Sequence, residues 1–102
     1  RPHDRPTASF AGSDEMAIGA ILAARDLGVR DPDDLSIIGI DGHDLGSFFR
    51  LTTVDQFPLS QGARAAEAVF RELDESSKPV THQPNALPFE LVVRETTARA
   101  PR

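Results

Sequence analysis

Apolar positions along this chain fall into two rhythms, and the tightest of them lies near the middle. Leu35-Ser36-Ile37-Ile38-Gly39-Ile40-Asp41-Gly42 has six uncharged residues running into an aspartate and a glycine. Ile37 and Ile38 are adjacent, so the stretch lacks the alternation of a strand with one wet face. It predicts a central strand covered on both sides, as in parallel sheets. Ligands of such sheets bind beyond the carboxyl ends of the strands, which is where Asp41 stands. Thr7-Ala8-Ser9-Phe10-Ala11 predicts a short strand before it. Leu51-Thr52-Thr53-Val54-Asp55, short and β-branched, predicts one after it. Phe89-Glu90-Leu91-Val92-Val93-Arg94-Glu95 alternates well enough for a final edge strand.

The slower rhythm marks two helices. Ser13 is an N-cap candidate with Asp14 and Glu15 in the first turn, where acids suit the positive end of the helix dipole. The helix runs from about Asp14 to Leu27, and Gly28 is the expected stop. Its core face reads Ala17, Ala20/Ile21, Ala24 and Leu27. Ile18 and Leu22 fall roughly 100° around from that face. The apolar arc is therefore wider than one sheet contact needs, which fits a deeply buried helix or a partner surface. Pro58 suits the first position of a second helix, Leu59 to about Asp74. Its stripe is Leu59, Ala63, Ala66, Phe70 and Leu73, with Val69 alongside. His43 to Arg50 reads as a loop or short helix ending in Phe48-Phe49, Arg30 to Asp34 as a turn, and Ser76 to Pro88 as a polar loop. Strand–helix–strand with a parallel sheet is an α/β arrangement, and its crossover is expected to be right-handed.

Composition narrows the functions. At 102 residues the chain has room for one small domain. It opens on Arg1 rather than methionine, as expected of a processed or excised piece. There is no cysteine, hence no disulfide framework or thiolate metal site. No apolar run approaches the roughly 18 residues of a membrane span. The net charge of −5 argues against this chain itself gripping nucleic acid, which needs a basic footprint.

Candidate chemistry is sparse. Asp41-Gly42-His43-Asp44 gathers two carboxylates and an imidazole. A metal site there is conceivable, but no helix-spaced ligands support it. Solvated loop positions are the default for His3, His43 and His82. Neither a nucleophile elbow nor a glycine-rich phosphate loop is present, so no catalytic residue, cofactor or metal is assigned. What remains is a set of polar groups at strand ends: Ser13 and Asp14 after the first strand, Asp41 after the second, Asp55 and Gln56 after the third. Hydroxyl, carboxylate and amide groups together can hold a polyol or sugar. Helix capping by Ser13–Asp14 and a turn-forming Asp41 explain the same residues without a ligand.

Several of these segments resemble one family. Ala11-Gly12-Ser13-Asp14-Glu15-Met16-Ala17-Ile18-Gly19-Ala20 is similar to the "ASDxxAxGA" segment of lactose/galactose-repressor-type (LacI/GalR) transcriptional regulators. Leu27-Gly28, then Pro32-Asp33-Asp34 through Asp41, then Leu51-Thr52-Thr53-Val54-Asp55-Gln56 continue the pattern, as do Gly62-Ala63-Arg64-Ala65-Ala66 and Leu91-Val92-Val93-Arg94-Glu95-Thr96-Thr97. Each motif alone is weak, but five in order, from about Pro6 to Thr97, are specific.

The resemblance implies a periplasmic-binding-protein-like type I fold of two α/β lobes with helices packed on a parallel sheet, of which this chain holds a part, mainly the C-terminal lobe. Residues 1–6 and 98–102 are then tails, and 7–97 the C-terminal part of an effector-binding and dimerisation domain. The chain would cross between lobes near Asp55–Gln56 and again near Ala86–Phe89, so that 56–86 belongs to the other lobe. The expected function is that of a sugar-responsive, repressor-type regulator of the cytoplasm. It would be a homodimer, meeting operator DNA only through an N-terminal helix-turn-helix absent from this chain, and would involve no membrane. By position, Ser13, Asp14, Asp41 and Gln56 are effector-site residues, Asp14 as a helix-start residue beside the pocket. Glu15, Ile18, Leu22, Phe48 and Phe49 match the subunit interface. Two departures stand out: Gly42 replaces a polar partner of the aspartate, and the segment before Leu51 is shortened. A periplasmic sugar-binding protein for uptake would share the fold, and a small hydrolase using Asp41 and Asp44 is a rival of another class.

Overall fold

The computed structural model describes residues 4–74 and 87–101. In chain order the elements are β1 (Ala8–Phe10), α1 (Asp14–Asp26), β2 (Ser36–Asp41), α2 (Asp44–Phe48), β3 (Thr52–Asp55), α3 (Pro58–Asp74) and β4 (Glu90–Val92). The strands form a sheet in the order β1-β2-β3-β4. The first three are parallel, with Phe10 opposite Ile38, Gly39 opposite Thr53 and Asp41 opposite Asp55. β4 closes the sheet antiparallel to β3, the edge strand the alternation predicts. This is a mixed α/β sheet of the expected class.

Helix α1 starts and stops as its sequence dictates. The Ser13 side chain accepts a hydrogen bond from the Met16 amide at 3.2 Å. At the other end Gly28 takes φ 74°, a region open to glycine at little cost. Its amide and that of Val29 then reach back to the carbonyls of Arg25 and Ala24, a Schellman closure. Ala17, Ile21 and Ala24 are buried, as predicted. Leu27 is not: it is 79% exposed, because the helix ends at Asp26 and Leu27 already lies in the cap.

One face of the sheet is packed. Ile37 joins Ala11, Ala17, Ile21 and Leu51 in the core, with Ile18, Ala20, Leu35 and Phe49 packed against them. Gly39, on the same face of β2, lets α1 approach closely. A Cβ there would overlap Asp14 and stand 3.2 Å from the Cβ of Ala17. The opposite face departs from the expectation of a strand covered on both sides. Ile38 and Ile40 are only half-buried, and Phe10 and Leu91 are exposed. The second long helix, α3, does not cover it, since none of its residues is buried. Leu59, Val69, Phe70 and Leu73 of its apolar stripe are all exposed.

The segment after β4 returns beneath the amino-terminal ends of β2 and β3 and locks them together. The Thr96 hydroxyl donates to the Ile37 carbonyl at 2.6 Å and accepts from the Thr52 amide at 3.0 Å. The Ile37 amide donates to the Thr96 carbonyl. Ala98, expected in a terminal tail, exchanges two hydrogen bonds with the Ser36 hydroxyl. The polar loop expected over 76–88 and the return crossing near Ala86 fall mainly outside the described residues.

Candidate functional site

Because β1, β2 and β3 run parallel, their carboxyl ends meet at one edge. That edge receives Ser13 beyond β1, Asp41 at the end of β2 with Gly42 after it, and Asp55 at the end of β3 with Gln56 after it. Asp41 and Asp55 are register partners, so two carboxylate-bearing residues stand side by side at the tip of the sheet. Asp41 is half-buried and adopts φ 127°, a conformation that non-glycine residues rarely take. Its carboxylate has no hydrogen-bond partner among the described residues. Asp55 is partly committed: its Oδ1 accepts from the Phe57 amide at 2.8 Å. Phe57 itself has φ 51°, and this turn throws the chain away from the sheet into α3.

A groove opens between this edge and the start of α3. It encloses about 560 Å³ and is lined by Gly42, Asp44, Asp55, Phe57, Pro58, Leu59, Ser60 and Ala63. Pockets of roughly 300–1,000 Å³ accommodate small molecules. Two carboxylate-bearing residues, Asp44 and Asp55, line it together with aromatic and aliphatic ones, a mixture that suits a ligand carrying both hydroxyls and apolar carbon. Asp41 and Gln56 flank the groove in sequence without lining it. The Gln56 carbonyl accepts from the Gln61 side chain at 2.6 Å, which fixes the entry to α3.

Behind the edge lies a buried polar hub. Asp14 has no exposed surface. Its Oδ1 accepts from the Thr53 hydroxyl at 2.6 Å and its Oδ2 from the His43 amide at 2.7 Å. Gly39 and Gly46 make room for that carboxylate. A Cβ on Gly46 would stand 3.3 Å from both Asp14 Oδ2 and Arg94 Nη1, so both side chains border the same glycine. Arg94 is held by its own donation to the Leu51 carbonyl at 2.9 Å. A buried carboxylate is tolerated when both its oxygens accept such bonds.

The sequence-predicted residues therefore divide. Ser13, Asp41 and Gln56 belong to the strand-end edge. Asp14 lies beneath it, with both oxygens already engaged. Of the positions matched to a subunit interface, Glu15, Leu22 and Phe48 are exposed. Ile18 and Phe49 are half-buried and pack on the core, with the Phe49 ring meeting that of Phe48 edge-on at 5.6 Å. His43 caps α2, its Nδ1 accepting from the Leu45 amide at 3.0 Å, and its Nε2 lies 3.8 Å from Glu15. No group of three or more metal-ligating side chains is assembled among the described residues. Sequence reasoning missed Thr53 and Phe57. Two-residue alternation places Thr53 on the face of Asp55, one step inward, and could have flagged it. The role of Phe57 depends on a backbone turn that no local pattern announces.

The family described as periplasmic binding protein-like domain matches residues 1–97. The ribose operon repressor of Halalkalibacterium halodurans is 42% identical over 90 residues, covering 86% of this chain and 27% of that protein. Among solved structures, a LacI family transcriptional regulator from Enterococcus faecium with bound ribose superposes with a TM-score of 0.83 at 28% identity, over 94% of this chain and 36% of that one. A LacI family regulator from Lactobacillus casei with bound sucrose gives a TM-score of 0.79 at 30% identity, over 95% and 35%. The chain thus spans under a third of the length of the curated repressor it matches.

Proposed function

The chain belongs to the periplasmic binding protein-like domain family, and on that premise we propose that it is the C-terminal part of the effector-binding and dimerisation domain of a repressor-type transcriptional regulator. The observation that carries this reading is the strand-end edge. Asp41 stands beside Asp55, its carboxylate without a hydrogen-bond partner among the described residues, and Asp55 and Gly42 line a groove to which the start of α3 also contributes. Half a cleft is what one lobe of a two-lobed clamp offers. The exposed apolar stripe of α3 supplies the complementary argument, since a helix with no buried residue needs a second body to pack on. Residues 56–86 would belong to that body.

In the parent protein a small polar effector, a sugar or a derivative of one, would bind between the lobes. Ser13, Asp41 and Gln56 would meet its hydroxyls, with Asp14 in support. Binding shifts the balance of lobe arrangements only as far as the effector's affinities for them differ. A homodimer joined partly through Glu15, Ile18, Leu22, Phe48 and Phe49 would pass that shift to operator DNA, held by a separate N-terminal segment. No helix among the described residues is long and apolar enough to cross a membrane, and the reading places the parent in the cytoplasm. The relatives described above are named as a repressor and as transcriptional regulators, which supports sensing over uptake or hydrolysis.

Calorimetric titration of the parent regulator with ribose, glucose and sucrose tests the proposal. One of these sugars is expected to bind. Asp41→Ala should weaken it by about tenfold to a hundredfold, the range for a lost hydrogen bond to a charged group. Unchanged affinity in a folded Asp41→Ala protein would remove Asp41 from the site.

A further inference from the structure

We infer that Asp14 is a positioning residue of the effector site, one that shapes the Asp41 turn through Thr53 and the His43 amide without touching the ligand. The inference rests on the reading of Asp41 given above and assigns its geometry a cause. Asp41 at φ 127° and Gly42 at φ 76° form a turn that an aspartate does not adopt unaided. Such a conformation persists only where the surroundings determine it from both sides. On one side is the β2–β3 ladder, which pairs Asp41 with Asp55. On the other is His43, the first residue after the turn, whose amide is bound to Asp14 Oδ2 at 2.7 Å.

Asp14 is suited to hold that end still. It is fully buried, so water does not compete for its oxygens. Its other oxygen takes the Thr53 hydroxyl at 2.6 Å, and Thr53 lies two residues before Asp55 on the same strand face. One carboxylate therefore links the residue after the Asp41-Gly42 turn to the strand that carries Asp55. Gly39 and Gly46 leave the carboxylate the space it occupies, since a Cβ on either would stand within 3.3 Å of one of its oxygens. Both bonds are charge-assisted, the short and strong kind. Thr53→Val would keep the shape and delete the hydroxyl, leaving Oδ1 buried and unpaired.

The experiment is a double-mutant cycle on the parent regulator. Affinity is measured by calorimetry for whichever of ribose, glucose and sucrose binds, with effector-free operator binding as the check on fold. Thr53→Val is expected to weaken sugar binding roughly tenfold, about the effect of one such hydrogen bond, and Thr53→Ser to restore it. In the Asp41→Ala background, Thr53→Val should cost no further affinity, because the residue it positions is gone. A merely structural Asp14 predicts the opposite, independent losses that multiply in the double variant. That result, or a folded Thr53→Val protein that binds sugar as the parent does, overturns the inference. If Thr53→Val does not fold, Asp14→Asn, which keeps the shape and removes the charge, takes its place in the cycle under the same criteria. Failure of the unaltered parent to bind any of the three sugars would instead strike down the sugar reading, and the positioning role with it.

Discussion

Gly42 and Asp55 are in contact across the tip of the sheet: a Cβ built on Gly42 would stand 2.5 Å from Asp55 Oδ1 and 2.6 Å from its Cγ. The two demands on residue 42 coincide, since φ 76° already disfavours any residue with a side chain. Gly42→Ala is therefore expected to destabilise the fold by about 1–3 kcal/mol, from backbone strain together with displacement of Asp55. It should also reduce the parent's response to effector, because Asp55 lines the groove. Chemical denaturation and sugar titration of the same variant read the two effects separately. A stability change below about 0.5 kcal/mol would show that the turn relaxes freely.

Thr96 holds β2 to β3 through one buried hydroxyl that donates to Ile37 and accepts from Thr52. Thr96→Val keeps the volume and strands both partners away from water. The expected loss is about 1–3 kcal/mol. Thr97→Val removes a single contact to the Thr52 hydroxyl at a half-buried position and should cost less. Equal losses in urea unfolding would contradict this ranking.

The elements whose causes are local were legible in the sequence. Ser13 and Gly28 bracket α1 where their side chain and backbone preferences place them. The isoleucines of β2 identify the central strand, and strand-end aspartates follow from the parallel order. What escaped depends on contacts distant along the chain. Asp14 reads as an acid in a first helical turn, yet its carboxylate is used by residues 29 and 39 positions away. Leu27 fits a helical stripe that ends one residue too early. The exposed second face of the sheet and the bare stripe of α3 could not be foreseen from periodicity, which reports that a surface is apolar and not which body covers it.

One pH dependence follows from the turn before β2. The Arg30 side chain, followed by its backbone amide, donates to Asp34 and holds that carboxyl below its ordinary range. A carboxyl depressed in the folded state adds stability above its unfolded pKa and loses it as the pH falls through the depressed value. The reciprocal rise at Arg30 adds stability that is present below its unfolded pKa and lost only far into alkali. Asp34→Asn should therefore flatten the acid side of the stability profile and leave a smaller effect above the carboxylate range, where it removes an exposed pair. An unaltered slope between about pH 5 and pH 2 would show that other carboxyls govern acid unfolding.

The stripe on α3 makes a prediction in which the isolated chain and its parent must disagree. Phe70 and Leu73 are exposed here, along with Leu59 at the helix start. Phe70→Ser in the isolated chain should therefore leave its stability within about 0.5 kcal/mol, as for exposed substitutions elsewhere. In the parent, where α3 is proposed to pack on the second lobe, the same change should cost about 3–5 kcal/mol, the range for a large side chain lost from a core. The difference isolates what the rest of the protein contributes, because the helix itself is identical in both. Matching small losses in chain and parent would mean that α3 stays uncovered, and the assignment of residues 56–86 to the other lobe would fall.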